Sequence, residues 1–176
     1  MVKILPQKIK SVDNFQTPIM ALKPLLPYLK KDWTIWECAE GNGNLTKELN
    51  RQGYKAIGTD IIKGYDFLSW HPKSFDCIIT NPPFSLKQKF LERAYTLEKP
   101  FAFLLPLTTF ETKKRQFLFQ KYGLEVIFFD KRINFEIPSG RGGGVLVCYS
   151  LVHEWLKYRF SDKFPEFVRY KPKKAS

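Results

Sequence analysis

Cysteine is scarce in this chain of 176 residues. The three that occur, Cys38, Cys77 and Cys148, are odd in number, far apart and set within apolar runs. That excludes a disulfide framework and any metal-binding spacing, and predicts buried free thiols in a reducing compartment. No uncharged run approaches membrane-spanning length, and the first ten residues carry lysines without the apolar stretch of a secretory signal. A cytoplasmic protein with no membrane partner is expected. Low-complexity tracts are missing too, and the length suits one domain with a real core rather than two ordinary ones. Acidic residues are the other shortage: 17 Asp and Glu face 29 Lys and Arg, for a net charge of +12. Such a surplus favours a polyanionic partner, nucleic acid first among them.

What is present converges on one stretch. The apolar run Phe75-Asp76-Cys77-Ile78-Ile79-Thr80 reads as a buried strand, and it ends in Asn81-Pro82-Pro83-Phe84. Two successive prolines cannot donate backbone hydrogen bonds, so the strand stops with unpaired carbonyls beside an amide and an aromatic ring. That combination suits a planar group bearing an NH2. Taken alone, it is also an ordinary strand-ending turn.

The flanking sequence adds the pieces of a nucleotide-binding βαβ unit. A strand over 34–38 leads into Glu37-Cys38-Ala39-Glu40-Gly41-Asn42-Gly43-Asn44 and a helix over 45–52. Gly41 and Gly43 allow close backbone approach, and the helix start offers free N–H groups. The third glycine of the dinucleotide fingerprint is missing, with Thr46 in its place. The next strand, over 55–60, ends at Asp60, nineteen residues after Gly41. That spacing fits a carboxylate on ribose hydroxyls, or a helix N-cap. Upstream, Thr17 and Pro18 predict a capped helix over 18–29 that Pro24 and Pro27 interrupt. Tyr65-Asp66-Phe67-Leu68 reads as a short strand ending in a third acid. Further on, Ser85 is placed to cap a helix running to Leu97, and strands are expected over 101–105, 125–129 and 145–152. Lys113-Lys114-Arg115 reads as a solvated helix face.

The ordered series of Phe15-Gln16-Thr17-Pro18, Glu37 to Gly43, Asp60, Asp66-Phe67, Asn81-Pro82-Pro83-Phe84 and Arg132 to Phe135 resembles the S-adenosylmethionine-dependent amino-methyltransferases, and more narrowly the N6-adenine DNA methyltransferases. The resemblance implies an α/β, Rossmann-like class I fold: a seven-stranded, mostly parallel sheet with an antiparallel last strand and helices on both faces. It implies a methyltransferase core over 1–152 and a basic aromatic extension over 153–176. It assigns Gln16, Thr17, Glu37, Gly41 and Gly43 to the methionine part of the cofactor, Asp60 to the ribose, and Asp66 and Phe67 to the adenine. Asn81 and the Pro82 carbonyl, with Pro83 holding the turn, would accept hydrogen bonds from the target NH2. Phe84, with Arg132 and Phe135 from the late loop, would hold a flipped base.

The stretch from Trp155 to Ser176 holds seven Lys or Arg against two acids, interleaved with Trp155, Tyr158, Phe160, Phe164, Phe167 and Tyr170. Base stacking with phosphate contacts accounts for it, and so does a helix packing its aromatics on the sheet. Enzymes of the resembled group that read long DNA sites carry a separate recognition region after the core. Its absence here points to recognition by tail and loops, loose recognition, or a separate partner. DNA is the expected substrate, RNA bases are the alternative, and a non-catalytic nucleic-acid-binding subunit is the rival from another class. Methylation of a glutamine amide fits less well, because the enzymes that perform it usually carry Tyr where Phe84 stands.

Overall fold

The structure, a computed structural model, describes residues 16–129, 133–135, 144–145, 147–152 and 167–170. Among the described residues, short runs bounded by turns give nine strands: β1 (Thr34–Glu37), β2 (Lys55–Gly58), β3 (Cys77–Thr80), β4 (Phe101–Pro106), β5 (Leu124–Phe128), β6 (Ile133–Asn134), β7 (Gly144–Val145), β8 (Val147–Val152) and β9 (Phe167–Tyr170). The α-helices of the described residues lie among them: α1 (Asn44–Arg51), α2 (Lys87–Thr96) and α3 (Lys113–Tyr122).

Seven strands form one sheet in the order β2-β1-β3-β4-β8-β5-β9, while β6 and β7 make a separate two-stranded ribbon. The pairs β1 with β2, β1 with β3, and β3 with β4 are parallel. Strand β8 runs antiparallel to both β4 and β5, and β9 antiparallel to β5. Five of the seven strands therefore run one way and β8 and β9 the other; the resemblance implied a mostly parallel sheet with one reversed strand, and the structure reverses two.

Each face of the sheet is covered. On one face Leu45 and Leu49, four residues apart on α1, pack with Leu22, Leu25, Ile35, Ile79 and Leu104. On the other, Phe90, Leu91 and Ala94 of α2 and Phe119 of α3 pack with Trp36, Ile78 and Phe103. Every residue of β3 is buried, consistent with a central parallel strand that alternation cannot reveal. Burying one such Leu or Phe side chain contributes about 1.5–3 kcal/mol.

Several elements differ from the sequence expectation. The helix expected over 18–29 is two 3-10 turns, Ile19–Leu22 and Leu26–Tyr28, because Pro24 and Pro27 break any longer helix. Pro18 rather than Thr17 stands at the N-cap, with no side-chain cap bond. The short strand expected at Tyr65–Leu68 is a turn: Asp66 Oδ1 accepts from the Leu68 N–H at 2.9 Å, and the Asp66 carbonyl accepts from the Ser69 and Trp70 N–H groups. Ser85 does not cap α2, which follows a 3-10 turn over Phe84–Leu86.

The 153–176 stretch is not simply appended, since Phe167–Tyr170 supplies the edge strand β9. Cys38 and Cys77 are buried free thiols, while the Cys148 side chain lies outside the described residues. So do Phe15, Arg132 and the basic aromatic residues on either side of β9.

Candidate active site

The site lies at the carboxyl ends of β1, β2 and β3, where the parallel strands release their turns. Glu37, the last residue of β1, is 1% exposed. Its Oε1 accepts from the Thr80 hydroxyl and from the Ala39 N–H at 3.2 Å, so the ends of two adjacent strands are tied together. Its Oε2 is buried with no hydrogen-bond partner. Burial pushes the carboxyl from its ordinary 4.5 up to about 8.

The glycine turn follows. Gly43 sits at φ 77 as the N-cap of α1 and Gly41 at φ 52, a left-handed backbone that a side chain would strain. The turn is fastened to a segment far upstream. Gln16 Oε1 accepts from the Asn42 N–H at 3.1 Å, and Asn44 Nδ2 donates to the Thr17 carbonyl at 3.2 Å. Gln16, Thr17, Glu37, Gly41 and Asn81 thus share one narrow polar cleft, whose other walls are Ala39, Glu40, Asn44 and Leu45.

Asp60 joins two turns. One oxygen accepts from the Gly41 N–H and the other from the Ile62 N–H, each at 3.0 Å. It is therefore an N-cap, of the 3-10 turn Ile61–Lys63, and also a strut under the glycine turn. Each oxygen keeps lone-pair capacity for a further donor.

At the end of β3, Asn81 points its Oδ1 into a buried position where it has no hydrogen-bond partner. A buried acceptor left without a donor costs about 1–3 kcal/mol, a cost that a bound N–H group would remove. Pro82 is buried and Pro83 extended at ψ 123, and Lys87 Nζ donates to the Phe84 carbonyl at 3.1 Å. Phe84 and Phe135 meet edge to face, with centroids 6.4 Å apart at 88°. Phe135 itself is 2% exposed, so a base entering between the rings must displace one of them.

Asp66 and Phe67 stand apart from this cleft. Phe67 is 3% exposed, with Trp36 at 5.4 Å and Phe90 stacked at 4.6 Å. Its ring belongs to the core.

Glu40, Asn44 and Leu45 line this cleft and Thr80 bonds to Glu37 beside it, and the sequence reading assigned none of them a role. Glu40 forms an ion pair with Lys63, and its carboxylate lies over Gly58. A Cβ at Gly58 would come within 1.3 Å of Glu40 Oε2, so the missing side chain is what admits the carboxylate. A lone glycine ending a strand was the only signal, and it did not name its occupant.

The topology resembles that of solved methyltransferases. A presumed RNA methyltransferase of Pyrococcus horikoshii aligns with 86% of this chain and 91% of its own, at 12% identity and a TM-score of 0.52. An S-adenosylmethionine-dependent methyltransferase of Archaeoglobus fulgidus aligns over 77% and 92%, at 13% identity and 0.50. A dimethyladenosine transferase of Plasmodium falciparum aligns over 79% and 63%, at 11% identity and 0.52.

The fold is that of the S-adenosylmethionine-dependent methyltransferases. No family model matches the chain, and no curated protein matches it in sequence. No described helix is long and apolar enough to cross a membrane, and no described His, Cys, Asp and Glu side chains group as metal ligands.

Proposed function

We propose that this chain transfers a methyl group from S-adenosylmethionine to the exocyclic N6 amine of adenine in DNA, acting on a base flipped out of its stack. The observation that carries the reading is Asn81 Oδ1, a buried acceptor without a donor at a proline-stopped strand end, in the same cleft as the glycine turn.

The residues present fit the cofactor. Glu37 Oε2 is a second buried oxygen without a hydrogen-bond partner, and once its carboxyl gives up its proton it suits the ammonium of a methionine moiety, with Gly41, Gln16 and Thr17 lining the same cleft. Asp60 has lone pairs left for ribose hydroxyls. The adenine falls to the turn carrying Asp66, which Phe67 supports from within the core instead of touching the ring. When bound, S-adenosylmethionine supplies an electrophilic methyl group on a sulfonium sulfur.

What the chain does next is electrostatic. An exocyclic amine is a weak nucleophile because its lone pair is delocalised into the ring. Asn81 Oδ1 and the Pro82 carbonyl, as paired acceptors, favour the tetrahedral nitrogen and aim its lone pair at the methyl group. No charged base is needed for that placement. Phe84 gives the base a stacking face, and Phe135 yields as the base enters.

RNA is the second reading, favoured by the name of one protein of similar fold, a presumed RNA methyltransferase. Incubation with labelled S-adenosylmethionine and either polymer, followed by digestion to nucleosides and mass spectrometry, separates the two. The expected product is N6-methyladenine from DNA. Asn81→Ala should lower turnover by about 100-fold or more, the scale of losing one preorganised polar contact, while cofactor affinity stays within a few-fold. No methylation of either polymer, with S-adenosylmethionine bound, would defeat the reading in favour of a non-catalytic subunit.

A further inference from the structure

The basic triplet Lys113-Lys114-Arg115 divides in the structure. Arg115 turns inward and is 8% exposed, donating from Nε to the Thr109 carbonyl at 2.5 Å and from Nη2 to the Thr108 carbonyl at 3.2 Å. Gln116 Nε2 donates to the Phe110 carbonyl at 2.6 Å. Three successive carbonyls of the 3-10 turn Leu107–Glu111 are thus clamped by the first turn of α3. That turn leaves the carboxyl end of β4, the strand beside the one that ends in Asn81. The start of α3 thus follows the carboxyl end of β4, and α2 starts at the same end of the sheet, directly after the 3-10 turn Phe84–Leu86.

Lys113 and Lys114 remain outward and exposed on α3, as does Lys89 in the first turn of α2. An ion pair from Lys114 to Glu92 at 2.8 Å ties the two helices together. Phe117, one turn beyond Lys113 on the same side of α3, is 64% exposed. For the fold itself this arrangement is costly. Neither helix has an acidic residue in its first turn or a side-chain cap, and lysines there oppose the positive end of the helix dipole. Cations placed against the local field, at the end of the sheet that carries the site and next to an exposed ring, suit a polyanion bearing bases.

We infer that the phosphodiester backbone of the substrate strand crosses the first turns of α2 and α3, where Lys89, Lys113 and Lys114 neutralise phosphates and Phe117 stacks on a flanking base. The inference rests on the nucleic-acid reading above and adds to it the surface that holds the strand outside the reacting pocket.

The test measures binding of a single-stranded DNA oligonucleotide across a salt series, using the whole protein and the variant Lys89→Ala/Lys113→Ala/Lys114→Ala. Three lost phosphate contacts flatten the log-log salt slope by about 2 and weaken binding roughly 100-fold near 0.1 M salt. Binding of S-adenosylhomocysteine should be unchanged, and the melting temperature within a few degrees of the parent's, because relief of the dipole conflict offsets the loss of the exposed Lys114–Glu92 pair. A control variant, Lys55→Ala/Lys99→Ala, removes exposed lysines at the amino ends of β2 and β4 and should keep the original slope. An unchanged slope in the triple variant, or an equal loss per charge in the control, would overturn the assignment of this surface alone. Failure of the unaltered protein to bind the oligonucleotide would overturn the nucleic-acid reading along with it.

Discussion

Replacing Glu37 by Gln tests the electrostatics of the site most directly. Its carboxyl is held in the protein by burial at about 8, against an ordinary 4.5. The folded state thus keeps a proton that the unfolded chain gives up. For an acid with a raised folded pKa, the linked stability is fully present below 4.5, declines as pH rises through the interval, and is gone above 8. At 1.36 kcal/mol per unit, the loss reaches about 3 kcal/mol by pH 7. Glutamine keeps an oxygen for the Thr80 hydroxyl and the Ala39 N–H but has no proton to lose. Glu37→Gln should therefore flatten stability against pH between 5 and 8, and the variant should gain on the parent with a slope near 1.36 kcal/mol per pH unit.

Urea unfolding at five pH values measures the slope. Cofactor binding supplies the second reading: a cation docking on Glu37 releases up to about one proton at pH 7 from the parent and none from the variant. Isothermal calorimetry in two buffers of different ionisation enthalpy counts that proton. Parallel stability curves for the two proteins between pH 5 and 8 would refute the reasoning, since Glu37 would then be ionised in the free protein.

Two further outcomes are expected from the packing. Gly58→Ala puts a methyl group where Glu40 Oε2 lies, so the ion pair with Lys63 should break and stability fall by about 1–3 kcal/mol, visible as a lower melting temperature. Truncation after Val152 removes β9 and exposes the outer edge of β5, so circular dichroism and thermal melts should report a destabilised fold. A truncated protein that melts like the parent would show that β9 adds nothing to the sheet.

The turns that build the candidate cleft were legible because their signals are local. Gly41 and Gly43 mark a turn between a strand and an amphipathic helix, Asp60 falls at the expected distance, and Asn81 follows a buried run that two prolines end. What was not legible depends on partners distant in sequence. Arg115 looks like its lysine neighbours until the carbonyls of Thr108 and Thr109 are seen within its reach. Phe67 looks available for a ligand until Trp36 and Phe90 close on it. The strand at Phe167–Tyr170 has no clean alternation, since Phe167 shares its face with Arg169, and only pairing with β5 tells it from the rest of a charged aromatic tail. At Tyr65–Leu68 the error was local: Asp66 bonds its own backbone and so prefers a turn to a strand.

The sheet order also fixes a sequence of events. Strand β8 lies between β4 and β5, so β5 has no neighbour in the sheet until the chain has been made through Val152. The glycine turn, its Gln16–Thr17 fastening and Asn81 are all synthesised well before that point. A nascent chain can assemble its cofactor half while a gap stands open beside β4. Inserting one long antiparallel strand into that gap is the non-local, slow step. Between the two, the apolar edge of β4 is the surface that a chaperone, or another unfinished chain, would find.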